Sequence, residues 1–104
     1  MPVFLTASNG NMFPLSSAAN QSTIAAVVAS TVLLAANVNR RGATIFNDST
    51  ATLYVNFGAT ANATDNHVVP LESKAYYEVP FAYTGVISGI WSAANGNAHI
   101  YEFV

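Results

Sequence analysis

The chain has 104 residues, 52% of them hydrophobic and only 8% charged, which fits one domain and excludes disorder driven by charge. Three Lys plus Arg against five Asp plus Glu give a net charge of −2, too few cations to neutralise a run of phosphates or an anionic bilayer, so neither nucleic acid nor membrane is expected as a partner. With no cysteine there is no disulfide, thiolate nucleophile or thiolate zinc site, and stability must come from packing or association.

Residues 1–20 scatter Val3, Phe4, Leu5, Met12, Phe13 and Leu15 among Pro2, Pro14, Gly10 and several Asn and Ser residues, without a sustained strand or helix period. They read as an extended N-terminal arm ahead of a β-sandwich domain over 21–104, the arm either docking on a neighbouring subunit or folding back as an edge strand. The start MPVFLTASNG lacks a basic n-region, so no secretory signal is expected and the chain is expected to begin in a cytosol. The apolar run 24–36, IAAVVASTVLLAA, is shorter than the roughly 20 residues of a spanning helix and contains Ser30 and Thr31. The sequons at Asn20, Asn47 and Asn62 then read as Asn/Ser/Thr-rich turns.

Beyond this run, turn signals recur at NRRG, NDST, GATANATDN, LESK, YTG and AANGN, separated by short runs rich in Val, Ile, Thr, Tyr and Phe. That spacing predicts an antiparallel all-β sandwich or barrel. The expected strands are 43–47, 53–57, 67–71, 75–81, 86–91 and 98–103, with one or two more from 24–34, seven or eight in all. Alternation puts Leu53, Val55 and Phe57 on a core face opposite Tyr54 and Asn56. It likewise groups Ala75, Tyr77, Val79 and Phe81 opposite Tyr76, Glu78 and Pro80, and the proline marks an edge or a strand end. The segments VISGIW and AHIYEFV are apolar on both faces, so one face of each should be buried against copies of the chain or a partner.

Catalytic chemistry finds little support. No G-x-S-x-G elbow occurs, and only His67 and His99 could serve a serine as base; each reads as a surface or interface histidine. The carboxylates Asp48, Asp65, Glu72, Glu78 and Glu102 have no metal-ligand spacing, Asp65 with His67 making at most part of a weak site, and no cofactor is implied. Paired carboxylates of a glycosidase would need a deeper cleft than so small a domain offers. The N-G-N sequences at 9–11 and 95–97 are turns, not phosphate cradles. Tyr54, Tyr76, Tyr77, Tyr83, Trp91 and Tyr101 raise a second possibility, sugar stacking on exposed rings, with Tyr76, Tyr83 or Trp91 as the platform; the plainer reading keeps Tyr77, Trp91 and Phe103 in the core. Arg40 and Arg41 are the only adjacent cations and are expected to pair with Asp48, Glu78 or a subunit's carboxylate, setting register at an interface.

From about Val32 the chain reads VLLAANVNRRGATIFNDSTATLYVNFGAT and later AYYEVPFAYTGVISGIWSAANGNAHIYEF. This resembles a pattern of small structural proteins of tailed bacteriophages, L-L-A-A-N-x-x-R-x-G-A-x-I-x-N-x-S, then L-Y-V-x-x-G-A-T and Y-x-G-x-I-x-G-I-W-x-A-A-N-G. The match covers roughly two-thirds of the chain and leaves the arm outside. The resemblance implies a virion component, assembled in the host bacterial cytoplasm, on head or tail. Head decoration or cement proteins are frequently β-sandwiches or jelly rolls that form dimers or trimers and bridge capsomers. The expectation is therefore a non-enzymatic cement protein that binds the major capsid protein or another virion protein as a homo-oligomer. Its expected contact residues are Val3, Phe4, Leu5, Met12, Phe13, Arg40 and Arg41. The alternative is a receptor- or carbohydrate-binding module of a tail appendage.

Overall fold

The computed structural model describes residues 15–80 and 82–104. Among them are eight strands and no helix: β1 (Ala19–Ala25), β2 (Thr31–Leu34), β3 (Gly42–Ser49), β4 (Leu53–Phe57), β5 (Val69–Leu71), β6 (Tyr76–Glu78), β7 (Ile87–Trp91) and β8 (Gly96–Phe103). They form two four-stranded antiparallel sheets, ordered β1-β8-β3-β6 and β2-β7-β4-β5, in a sandwich-like arrangement. The run 24–36 ends β1 and, after a bend, supplies β2; no helix among the described residues is long and apolar enough to cross a membrane.

Period-two burial fixes which side of each sheet is core. In β3, Ala43, Ile45, Asn47 and Ser49 are buried while Thr44, Phe46 and Asp48 turn outward. The β3–β8 register sets Ile45 opposite Ile100 and Asn47 opposite Ala98, extending the buried face across the strand pair. The other sheet answers with Leu33, Leu53, Val55, Leu71, Ile87 and Trp91. Gly89 sits in β7 between β2 and β4, where a Cβ would lie 2.9 Å from the Cδ1 atoms of both Leu33 and Leu53. The glycine thus lets the two leucines close over the middle of the sheet. Gly96, with φ +97°, opens β8, and a Cβ there would lie 2.6 Å from the Asp48 carbonyl oxygen.

The segment expected at 53–57 is β4 as drawn, whereas β3 runs on through the NDST turn signal to Ser49. That extension follows from Asn47, whose side chain is satisfied inside the protein instead of turning the backbone. The segments 67–71 and 75–81 shorten to β5 and β6, and β6 is an edge strand that stops before Pro80. β1 begins at Ala19, ahead of the expected domain start at residue 21, and Ser17 and Ala18 already bond to Val104.

The outer side of β7 is covered by the chain itself. Asn56 Nδ2 donates to the Thr60 carbonyl at 2.8 Å, and Ala61 N–H donates to Ser30 Oγ at 2.9 Å, so the loop after β4 crosses the sheet towards β2. Asn56 and Ser88, adjacent on that side, are buried beneath it. Asn62 holds the loop in shape, its Oδ1 accepting the backbone N–H groups of Thr64, Asp65 and Asn66. At Ser88 the covering is supplied within one chain, while Ile90 on the same side stays half-buried.

Candidate functional site

The outward side chains of β1-β8-β3-β6 form one continuous surface. Register places Thr23, His99, Phe46 and Tyr76 in one row across the four strands, and Gln21, Tyr101, Thr44 and Glu78 in the next. Phe103 lies beyond them, opposite Gly42, its ring 3.7 Å from where a Cβ of that glycine would stand. Phe46 and His99 have near-parallel rings with centroids 6.3 Å apart, and Tyr101 and Phe103 do so at 6.4 Å. Tyr76 and Tyr101 are the open members, 57% and 45% exposed. The face is a field of rings with amide, hydroxyl and carboxylate groups between them.

Its polar groups are tied to one another. His99 Nε2 lies 2.9 Å from Asp48 Oδ2, Thr23 Oγ1 lies 3.3 Å from His99 Nδ1, and Lys74 donates to Asp48 Oδ1. The Lys74 hydrogen bond, followed by that of His99, holds the Asp48 carboxyl below the ordinary carboxylate range. Tyr76 donates to Glu78 Oε2 at 3.1 Å, and desolvation followed by that bond raises its phenol. Thr23, His99 and Asp48 stand in the sequence hydroxyl, imidazole, carboxylate, and His99 lies on β8 between β1 and β3. The contacts tie together the outward side chains of β1, β3 and β8 and so order the face.

Other expected site residues go elsewhere. Arg40 is 2% exposed and clamped within its own chain: Nε donates to Glu102 Oε2 at 2.8 Å, Nη1 to the carbonyls of Tyr83 and Gly85, and Nη2 to that of Ala35. This corrects the expected partner of Arg40, which is Glu102 of its own chain. Arg40 precedes β3 at its Phe103 end while Asp48 lies opposite Asn97, a separation of roughly 20 Å along the strand, and Glu78 faces outward. Arg41 is exposed. Val3, Phe4, Leu5, Met12 and Phe13 lie outside the described residues.

Trp91 is 2% exposed in the core, and Tyr83 stacks on Phe57 at 4.8 Å with its hydroxyl donating to the Val86 carbonyl, so of the three expected sugar-stacking residues only Tyr76 is open. Phe103, expected in the core, is on the outer face. His67 bonds through Nδ1 to the Asn62 carbonyl at 3.0 Å and meets Tyr54 edge-on, a loop contact and not a pairing with Asp65. No group of three His, Asp or Glu side chains among the described residues could hold a metal ion.

No family model, curated protein or solved structure matches the chain. The face itself therefore carries the functional argument. Of its members, His99 was expected at a surface or interface and Tyr101 among the candidate rings, whereas Phe103 was expected in the core and Phe46 was not singled out. The signal for them was present in AHIYEF, where seating Ala98 and Ile100 inward forces His99, Tyr101 and Phe103 outward.

Proposed function

We propose that this chain is a non-enzymatic structural protein of a tailed-bacteriophage virion, a decoration or cement protein that stabilises the head by bridging capsomers as a small homo-oligomer. The observation that carries the reading is the outward aromatic face of β1-β8-β3-β6, with Tyr76 and Tyr101 exposed beside Phe46 and Phe103. Interface cores favour aromatic residues over charge, and this face offers that composition on a rigid ladder. The sequence resemblance from Val32 onward points the same way. So does the strand order, which is compatible with a jelly roll: strands alternate between the sheets except at β4-β5, where the chain turns back.

The test is binding of the purified chain to empty capsids. Saturation at a fixed number of copies per capsomer, lost when Tyr76 and Tyr101 are both changed to Asp, supports the reading; absence of binding overturns it. The arm is tested separately by deleting residues 1–14, a cut that leaves β1 and its flanking bonds to Val104 whole. Undiminished capsid binding by that variant removes the arm as anchor.

A second reading, a carbohydrate-binding module on a tail appendage, is favoured by the interleaving of rings with Gln21, Thr44 and Glu78 on the same face. Specific retention on a glycan array that disappears with Tyr101→Ala supports this module over the cement protein.

A further inference from the structure

We propose that β1 pairs edge to edge with β1 of a second copy of this chain, antiparallel, about a two-fold axis at Ser22. This gives the homo-oligomer of the preceding reading a specific joint and rests on that part of it alone.

Ala18 and Val104 exchange both N–H···O bonds, and Ala26 N–H donates to the Gly96 carbonyl. In an antiparallel ladder such bonded pairs alternate, so the even residues Asn20, Ser22 and Ile24 point their amides at β8. The N–H and C=O groups of Ala19, Gln21, Thr23 and Ala25 consequently point out of the sheet edge, with no partner among the described residues.

The four sheet edges are not equivalent. β5 has Pro70 in its middle, β6 is three residues long and flanked by Lys74 and Pro80, and β2 is broken by a register shift between Val32 and Leu34. Proline, charge, shortness and irregularity are the usual devices that stop strand addition. β1, ANQSTIA, is seven residues long and has none of them.

The strand is also complementary to itself. About Ser22, Ala19 meets Ala25 of the second copy and Gln21 meets Thr23, and each of these pairs can exchange both ladder bonds. Outer-face residues then meet outer-face residues, no like charges oppose, and Ser22 meets Ser22 at the non-bonded position on the axis. The isologous joint is closed, so it stops at two copies. It also joins the two aromatic faces side by side on one continuous sheet.

Sedimentation equilibrium of the full chain from micromolar to millimolar concentration tests this. Gln21→Pro removes an N–H that points away from β8 and leaves the β1–β8 ladder intact. The expected result is a wild-type dimer and a Gln21→Pro monomer at concentrations where the wild type is fully paired, with an unchanged circular dichroism spectrum. A chain with Gln21→Lys and Thr23→Lys, and another with Gln21→Glu and Thr23→Glu, should each remain monomeric and dimerise only when mixed, a result that misfolding could not produce. Retention of the dimer by Gln21→Pro overturns the proposal, as does a monomeric wild type, including one that dimerises only once residues 1–14 are deleted. Capsid binding is scored on the same samples. A chain that dimerises through β1 yet ignores capsids sinks the virion reading alone, whereas capsid binding with an undiminished Gln21→Pro dimer sinks the edge pairing alone.

Discussion

Trp91 in one sheet donates its indole N–H to Asn47 Oδ1 in the other, across 3.2 Å of the buried interior. The Asn47 amide completes the link: Nδ2 reaches the carbonyls of Ala51 and Leu71 at 2.8 Å and of Glu72 at 3.1 Å, and Ser49 Oγ lies 2.7 Å from Oδ1. With three carbonyls around its nitrogen and two donors at its oxygen, the amide has one possible orientation. A polar residue in the core thus joins the two sheets with its hydrogen bonds made.

Changing Asn47 to Leu keeps the size but leaves the Trp91 N–H and the carbonyls of Ala51 and Leu71 buried without that partner. Each such loss costs about 1–3 kcal/mol, and we expect urea unfolding to register a drop of at least ~3 kcal/mol. Asn47→Asp should be no better, because it turns an oxygen towards the three carbonyls. A change below ~1 kcal/mol in both variants would show that the sheets are held together without this group.

Arg40 is a buried charge whose worth depends on its partners. Arg40→Met leaves Glu102 facing the interior alone and should cost about 3–5 kcal/mol, whereas Arg40→Met with Glu102→Leu should recover a large part of that loss. Thermal unfolding of the two single variants and the double variant measures the coupling. Additive losses would mean that the ion pair is incidental and that the carbonyls of Ala35, Tyr83 and Gly85 hold the guanidinium by themselves.

Gly89→Ala adds a methyl group where Leu33 and Leu53 already close the space. We expect destabilisation of about 1–3 kcal/mol, because β2 and β4 must separate to admit it. Gly89→Ala combined with Leu33→Val should be less damaging than Gly89→Ala alone, as read by denaturant midpoints.

Asp48 makes the fold sensitive to acid in a defined direction. Lys74 first, then His99, lower its carboxyl in the folded chain from the ordinary value of 3.8, so the folded state binds that proton less readily than the unfolded chain. The stabilisation is fully present above the ordinary value and is lost as pH falls through the lowered one. A urea series across that acidic window should slope less steeply for Asp48→Asn than for the wild type. Parallel slopes would show that the contacts with Lys74 and His99 do not couple to folding.

The strands were legible wherever alternation was clean. Leu53 and Val55 alternate with Tyr54, and both inward residues are fully buried. β8 was harder, since Tyr101 and Phe103 are as apolar as the Ala98 and Ile100 that form the core. Only the pairing of Ile45 with Ile100 decides the phase, and that contact spans half the chain. Arg40 and Glu102 are similarly remote, so neither residue advertises the other. Asn47 looked like a turn signal because Asn-Asp-Ser commonly is one, whereas its role depends on Trp91 and Leu71 arriving from the opposite sheet. The burial of Ser88 and Asn56 depends on a loop whose path local pattern does not encode.

The central place of β8, between β1 and β3, has a consequence for biosynthesis. Until β8 has left the ribosome β1 has no ladder and β3 has only its short one with β6, so both wait with bonding groups exposed. Assembly of this sheet has to wait for residues 96–103, and in a crowded cell nascent copies are at risk of pairing with the wrong strand before β8 arrives.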